Sequence, residues 1–121
     1  SETSDFSEIV TLERPQADIT LANGSWVVLS ALGGFYSENT QILALRKSVN
    51  LYHDSGYEFH TSSADIDLSS GSATGGTPVT GQGPFGQIFS QGFKILDNGS
   101  RIIFTGRTKL VILSSALEDS K

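Results

Sequence analysis

Apolar residues recur along this chain at every second position rather than every third or fourth. The alternation runs through ADITL, WVVLS, YEFHT, DIDL, FKIL, RIIF and TKLVIL, the spacing at which one face of a pleated strand turns to a core and the other to water. NG at 23–24 and 98–99, DSG at 54–56, SSGSATGG at 69–76 and GQGPFG at 81–86 separate these runs. Gly and Asn supply the positive-φ backbone that tight turns need. No stretch longer than about ten residues combines helical spacing with freedom from Gly, so the chain is predicted to be nearly all β.

A longer period lies beneath the strands. LSALGGFY, FHTSSADI and IFSQGFKI share a bend of small or polar residues that closes on Gly34, Ala64 and Gly92. Each is followed by a second strand pair, in turn ILALRKSVNLYHD, SATGGTPVTGQ and RIIFTGRTKLVIL, while residues 9–24 resemble such a second half without a first. The chain therefore reads as three units and a leading half-unit. Units of two short strand pairs bury no face alone, so they stack hairpin upon hairpin and give two facing antiparallel sheets, a sandwich or jellyroll. A propeller needs at least about four blades of roughly 40 residues, more than this chain holds. The expected organisation is an irregular or disordered segment over 1–8, a single β domain over 9–113 and a polar tail over 114–121.

Composition narrows the function classes. A chain of 121 residues makes one domain, and the balance of 8 Lys+Arg against 13 Asp+Glu, a net charge of −5, argues against the basic face of a nucleic-acid binder, while an anionic partner still fits if the few cations are grouped. Cys is absent, which removes disulfides and thiolate metal sites. No run reaches the roughly 18 apolar residues of a membrane helix. The start, SETSDFSE without Met, is that expected of a mature form or an excised fragment.

Candidate chemistry is sparse. GQGPFG fits the spacing G-x-G-x-x-G, but the alternating QIFSQGFKILDNGS that follows supplies no helix N-terminus to hold a phosphate, so it reads as a connection between repeats. His53, Asp54 and His60 lack a third patterned metal ligand and read as hairpin polar residues. Asp65 and Asp67 flank Ile66 and share one solvated strand face. No G-x-S-x-G elbow or activated nucleophile occurs; no catalysis, cofactor or metal is expected. The large rings Trp26, Phe35, Phe59, Phe85, Phe89, Phe93 and Phe104 are many for this length, and Gly34, Gly92 and Gly106 are read as strand-interior glycines that mark bends or close approaches. Alternation assigns Ile19, Leu21, Trp26, Val28, Leu45, Val49, Leu51, Phe59, Ile66, Phe93, Phe104 and Leu110 to the interior. An interior that is bent and partly unfilled has room for a lipid chain. Arg14, Arg46 with Lys47, and Arg107 with Lys109 recur near one place in successive units and form a candidate rim for phosphates; scattered solubilising charge is the alternative.

NGSWVVLSA, YHDSGYEFHTSSADIDL, PVTGQGPFG and SQGFKILDNGSRIIFTGRTKLVIL resemble LptC, the inner-membrane-anchored periplasmic component of lipopolysaccharide export, in its alphaproteobacterial branch. The likeness runs from about Ile9 to Leu113. It implies an open β-jellyroll shared with LptA and with the periplasmic domains of LptF and LptG, whose groove shields lipid A acyl chains. Such a protein receives lipopolysaccharide from the LptBFG transporter and passes it to LptA without catalysis. The interior residues named above are then the lipid-binding set. The C-terminal strand, with Thr108, Lys109, Leu110, Val111 and Ile112, becomes the edge that accepts LptA by strand addition, and proline at Val111 is expected to remove a free edge donor. Set against the resemblance, the family's membrane helix and the first part of its jellyroll are expected to be missing from this chain. The N-terminal edge, which the resemblance assigns to LptF and LptG, is then a raw edge open to a second copy in a homodimer. The rival expectation is a structural or carbohydrate-binding β-sandwich with a filled core and aromatics displayed outside.

Overall fold

A computed structural model describes residues 8–114. Residues 1–7 and 115–121, most of the expected N-terminal segment and polar tail, lie outside the described residues. Twelve strands form: β1 (Ile9–Glu13), β2 (Gln16–Thr20), β3 (Trp26–Ser30), β4 (Gly33–Ser37), β5 (Ile42–His53), β6 (Glu58–Asp67), β7 (Ser72–Gly75), β8 (Val79–Gly83), β9 (Gly86–Ser90), β10 (Gly92–Leu96), β11 (Arg101–Thr105) and β12 (Lys109–Ile112). A 3-10 turn, Asp97–Gly99, joins β10 to β11.

The pairings resolve these pieces into seven long strands, each bent once: β1–β2, β3–β4, β5, β6, β7–β8, β9–β10 and β11–β12. Each long strand pairs antiparallel with the next along the chain, through β1·β4 and β2·β3, then β4·β5 and β3·β5, and so on to β10·β11 and β9·β12. The molecule is thus one antiparallel meander folded over along a line of bends. The first layer holds β1, β4, the first half of β5, the second half of β6, β7, β10 and β11. The second holds β2, β3, the remaining halves of β5 and β6, β8, β9 and β12. The period of about thirty residues is one hairpin of two bent strands, and the leading half-unit is the first bent strand.

The bends have local causes. In β5 the register shifts between Arg46 and Val49, so that two residues, Lys47 and Ser48, oppose the single Ser62. Lys47 (φ 67°) and Ser48 (φ 50°) take left-handed backbone there, and such a bulge kinks a strand. Arg14 (φ 47°) plays this part in the first strand, and its N–H donates to the Leu32 carbonyl at 3.0 Å; the Leu32 N–H donates to Lys47 O at 2.9 Å. In the last strand Gly106 supplies the bend at φ 74°, while the Arg107 N–H donates to Gln91 Oε1 at 2.9 Å. Gly106 therefore lies between β11 and β12, not inside a strand, because a residue without Cβ tolerates that φ best. The bend line is laced together by short hydrogen bonds from one long strand to the next.

Packing is tightest along this fold line. Leu45, Val49, Ala64 and Val79 flank it and are the most buried apolar residues, each exposing 4 % or less. Burying a side chain such as Leu45 contributes about 2 kcal/mol. Gly34 and Gly92 belong to the same seam: a Cβ at Gly34 would stand 2.7 Å from the Ala44 carbonyl oxygen, and one at Gly92 2.6 Å from that of Gly75. At these two positions the neighbouring strand's backbone, Ala44 of β5 and Gly75 of β7, approaches too closely for any side chain.

Candidate functional site

Away from the bends the layers diverge and leave a trough of about 740 Å³. Its floor and walls come from both layers, from Ile19 and Leu21 at the first long strand to Ile102 and Phe104 at the last. One row of cross-strand neighbours shows how the sequence builds it: Ala17, Leu29, Leu51, Phe59, Gly81, Ile88 and Leu110 stand opposite one another in register across the second layer. The facing row of the first layer runs Leu43, Ile66, Ala73, Ile95, Ile102. The polar lining is confined to a few groups, among them His53, Thr61, Asp67 and Ser72.

Three glycines seat the aromatic walls. A Cβ at Gly81 would run into the Phe59 ring, one at Gly83 into Tyr57, and one at Gly75 into Phe93. Gly81 is the cross-strand partner of Phe59, and Gly75 that of Phe93. An aromatic ring laid over a strand glycine covers the exposed backbone and gains a flat support. This is what GQGPFG does: its first two glycines carry rings, and Pro84 and Phe85 form the turn between β8 and β9. Phe85 then packs on Tyr57 with ring centroids 5.7 Å apart. The two layers also touch across the open side, where Leu21 packs on the backbone of Gly99; a Cβ there would lie 2.8 Å from Leu21 Cδ2.

Of the positions that alternation assigns inward, Ile19, Leu21, Val49, Leu51, Phe59, Ile66, Phe93 and Phe104 line the trough. Leu45 is buried at the bend beneath it. Leu110 lies on the inner face, opposite Ile88, yet is half exposed because no strand covers the last one. Trp26 and Val28 are corrections: they face outward, and Val27 and Leu29 line the trough instead. WVVL is apolar at four successive positions, so a period of two fits it in either register, and the pairing of Ile19 with Val27 decides which face turns inward. Val27, Leu29, Ile88 and Ile95 are lining residues the sequence reading missed. The last two alternate within QIFSQGFKI and were detectable by that signal.

The remaining candidates divide between the trough and the outer faces. Asp65 pairs with Arg46 at 2.9 Å on the outer face of the first layer. Asp67 caps the β6–β7 turn, accepting from Ser69 Oγ at 2.6 Å and from the Ser69 and Ser70 N–H groups at 3.0 and 3.3 Å; these bonds, the Ser69 hydroxyl foremost, hold its carboxyl below the ordinary value. His53 points to the trough, with Ser55 Oγ 2.6 Å from its Nδ1, whereas His60 lies on the outer face with Glu58 and Asn50. Among the described residues no group of three His, Cys, Asp or Glu side chains is placed to hold a metal. Arg14, Lys47 and Arg107 stand at bends of the first, third and last long strands, on the closed side of the fold, so they do not ring the mouth of the trough. Beyond β12 nothing pairs, and β11 with β12 forms one free edge as β1 with β2 forms the other, among the described residues.

An open, all-antiparallel jellyroll with an apolar trough and two free edges is the architecture of a lipid-carrying module. The family model for lipopolysaccharide-assembly, LptC-related proteins matches residues 2–112, and the chain belongs to that family. No curated protein matches it. Membership gives the protein a role in lipopolysaccharide transport as a periplasmic component of the Lpt system, in a transport-associated, non-enzymatic family. No helix among the described residues is long and apolar enough to cross a membrane.

Proposed function

We propose that the protein is a non-catalytic bridge that takes lipopolysaccharide from the LptBFG transporter and passes it to LptA, with the acyl chains lying in the trough. The observation that carries this reading is the trough itself, about 740 Å³ of space lined by apolar side chains from the first long strand to the last. That volume falls within the roughly 300–1,000 Å³ of ligand sites, and a filled-core sandwich leaves no such space. In this reading β1 and β2 dock on LptF or LptG and β11 and β12 on LptA, each by adding a strand to a free edge. An N-terminal helix anchors the protein to the inner membrane. Two copies joined edge to edge would occupy the same surfaces.

A photo-crosslinking amino acid placed in membranes at Phe59, Ile66 or Phe93 should capture lipopolysaccharide, and one placed at Val28 should not. Equal capture from both sets, or none from the first, would refute the trough as the lipid path.

A further inference from the structure

Trp26, which alternation sends to the interior, is half exposed on the outer face of the second layer. Tyr52, 40 % exposed, shares that face: it stands opposite Val28, two residues along β3 from Trp26. Polar groups surround the two rings. Thr20 opposes Trp26, Asp18 opposes Val28 and Glu58 opposes Tyr52. Behind Tyr52 the imidazole of His60 is held between Asn50 Oδ1 and Glu58 Oε2, the latter at 2.5 Å, and presents its edge to the Tyr52 ring at 86°. The patch is therefore two exposed rings set among fixed acceptors, not an apolar face awaiting a protein.

Its position adds a second observation. Trp26 follows the β2–β3 turn and Tyr52 precedes the β5–β6 turn, and residues of those turns, Ala22 and Ser55, line the trough mouth. A molecule whose apolar part lies in the trough and whose polar part leaves by this rim brings that polar part over the two rings. The transported molecule is by its class a lipid joined to a saccharide.

We propose that Trp26 and Tyr52 form a saccharide platform just outside the rim, which takes uncharged pyranose units of the lipopolysaccharide held in the trough. The electron-rich face of an aromatic ring attracts the C–H-bearing face of a sugar, and the Glu58 and Asp18 carboxylates accept from its hydroxyls. Three carboxylates nearby, with Asp54, disfavour phosphorylated or acidic sugars. The site's placement rests on the trough reading, but its chemistry does not.

Trp26 is the only Trp in the chain, so intrinsic emission reports on this place alone. The acyl-free, water-soluble oligosaccharide released from lipopolysaccharide by mild acid should shift that emission saturably. Tyr52→Ala should weaken the response about tenfold, and Trp26→Ala should abolish binding followed by calorimetry. Ile102→Gln, on the trough wall, should leave the response intact. An emission unmoved by the oligosaccharide, or a response lost in Ile102→Gln and kept in Tyr52→Ala, would overturn the platform. Loss of crosslinking from Phe59, Ile66 and Phe93 with the Trp26 response retained would sink the trough and leave the platform standing.

Discussion

The ring of Phe59 in the second layer meets the ring of Phe104 in the first at a centroid distance of 5.6 Å and an interplanar angle of 41°. This pair bridges the trough between strands four and seven of the meander, so it couples the layers where no backbone hydrogen bond does. Phe59→Ala and Phe104→Ala should each cost about 2 kcal/mol, below the range for fully buried rings because neither is fully buried. Their double variant should reveal a coupling of about 1 kcal/mol in urea unfolding. Strict additivity would show that the rings do not meet in solution.

The fold line predicts opposite outcomes for two glycines. Gly92→Ala puts a methyl 2.6 Å from the Gly75 carbonyl oxygen and 2.7 Å from Thr105 Oγ1, so backbone must move. It should destabilise by about 2 kcal/mol. Gly76→Ala meets nothing within 4 Å and should be neutral or stabilise by about 0.5 kcal/mol. Thermal melts of the two variants side by side read the difference.

Leu113 N–H donates to the Phe85 carbonyl at 2.9 Å. Antiparallel ladders alternate, so Val111 points its N–H inward to β9 as well, and Leu110 and Ile112 point theirs to the free edge. The expectation that Val111 is a free edge donor is thereby corrected. Val111→Pro should cost up to about 3 kcal/mol of stability. Leu110→Pro should leave the melting temperature nearly unchanged while weakening capture of LptA. A Leu110→Pro variant that binds LptA at full strength would move the docking edge elsewhere.

Asp67 contributes a pH dependence whose sign follows from its depressed carboxyl. Its stabilisation of the β6–β7 turn is fully present above the unfolded Asp value of about 3.9 and is lost as pH falls through the lower folded value. Asp67→Asn should therefore melt below the parent at pH 7, and the gap should close in strongly acidic buffer. A gap that persists unchanged there would assign the effect to something other than the carboxylate.

The sequence carried the repeat because every second bend closes on a small residue, and Gly34, Ala64 and Gly92 sit beside the fold line. It carried most of the trough because strands such as DIDL and FKIL alternate cleanly. It did not carry the facing of WVVL, which only the pairing of Ile19 with Val27 decides. Nor did it show that GQGPFG seats Phe59 and Tyr57, since Gly81 and Phe59 are neighbours only after β6 and β8 pair. The bend at Lys47 and Ser48 was hidden too, because its left-handed residues are not glycines and a bulge leaves no compositional trace.

A meander in which every long strand finds its partner immediately before and after it in the chain has low contact order for an all-β protein. Each hairpin then needs only its neighbour in the chain to pair, and no pairing waits for the far end. Loss of the first or last long strand then exposes the next one as an equivalent edge, so a shortened chain should keep the remaining hairpins folded, as a stack keeps its shape when the outermost sheet is lifted away.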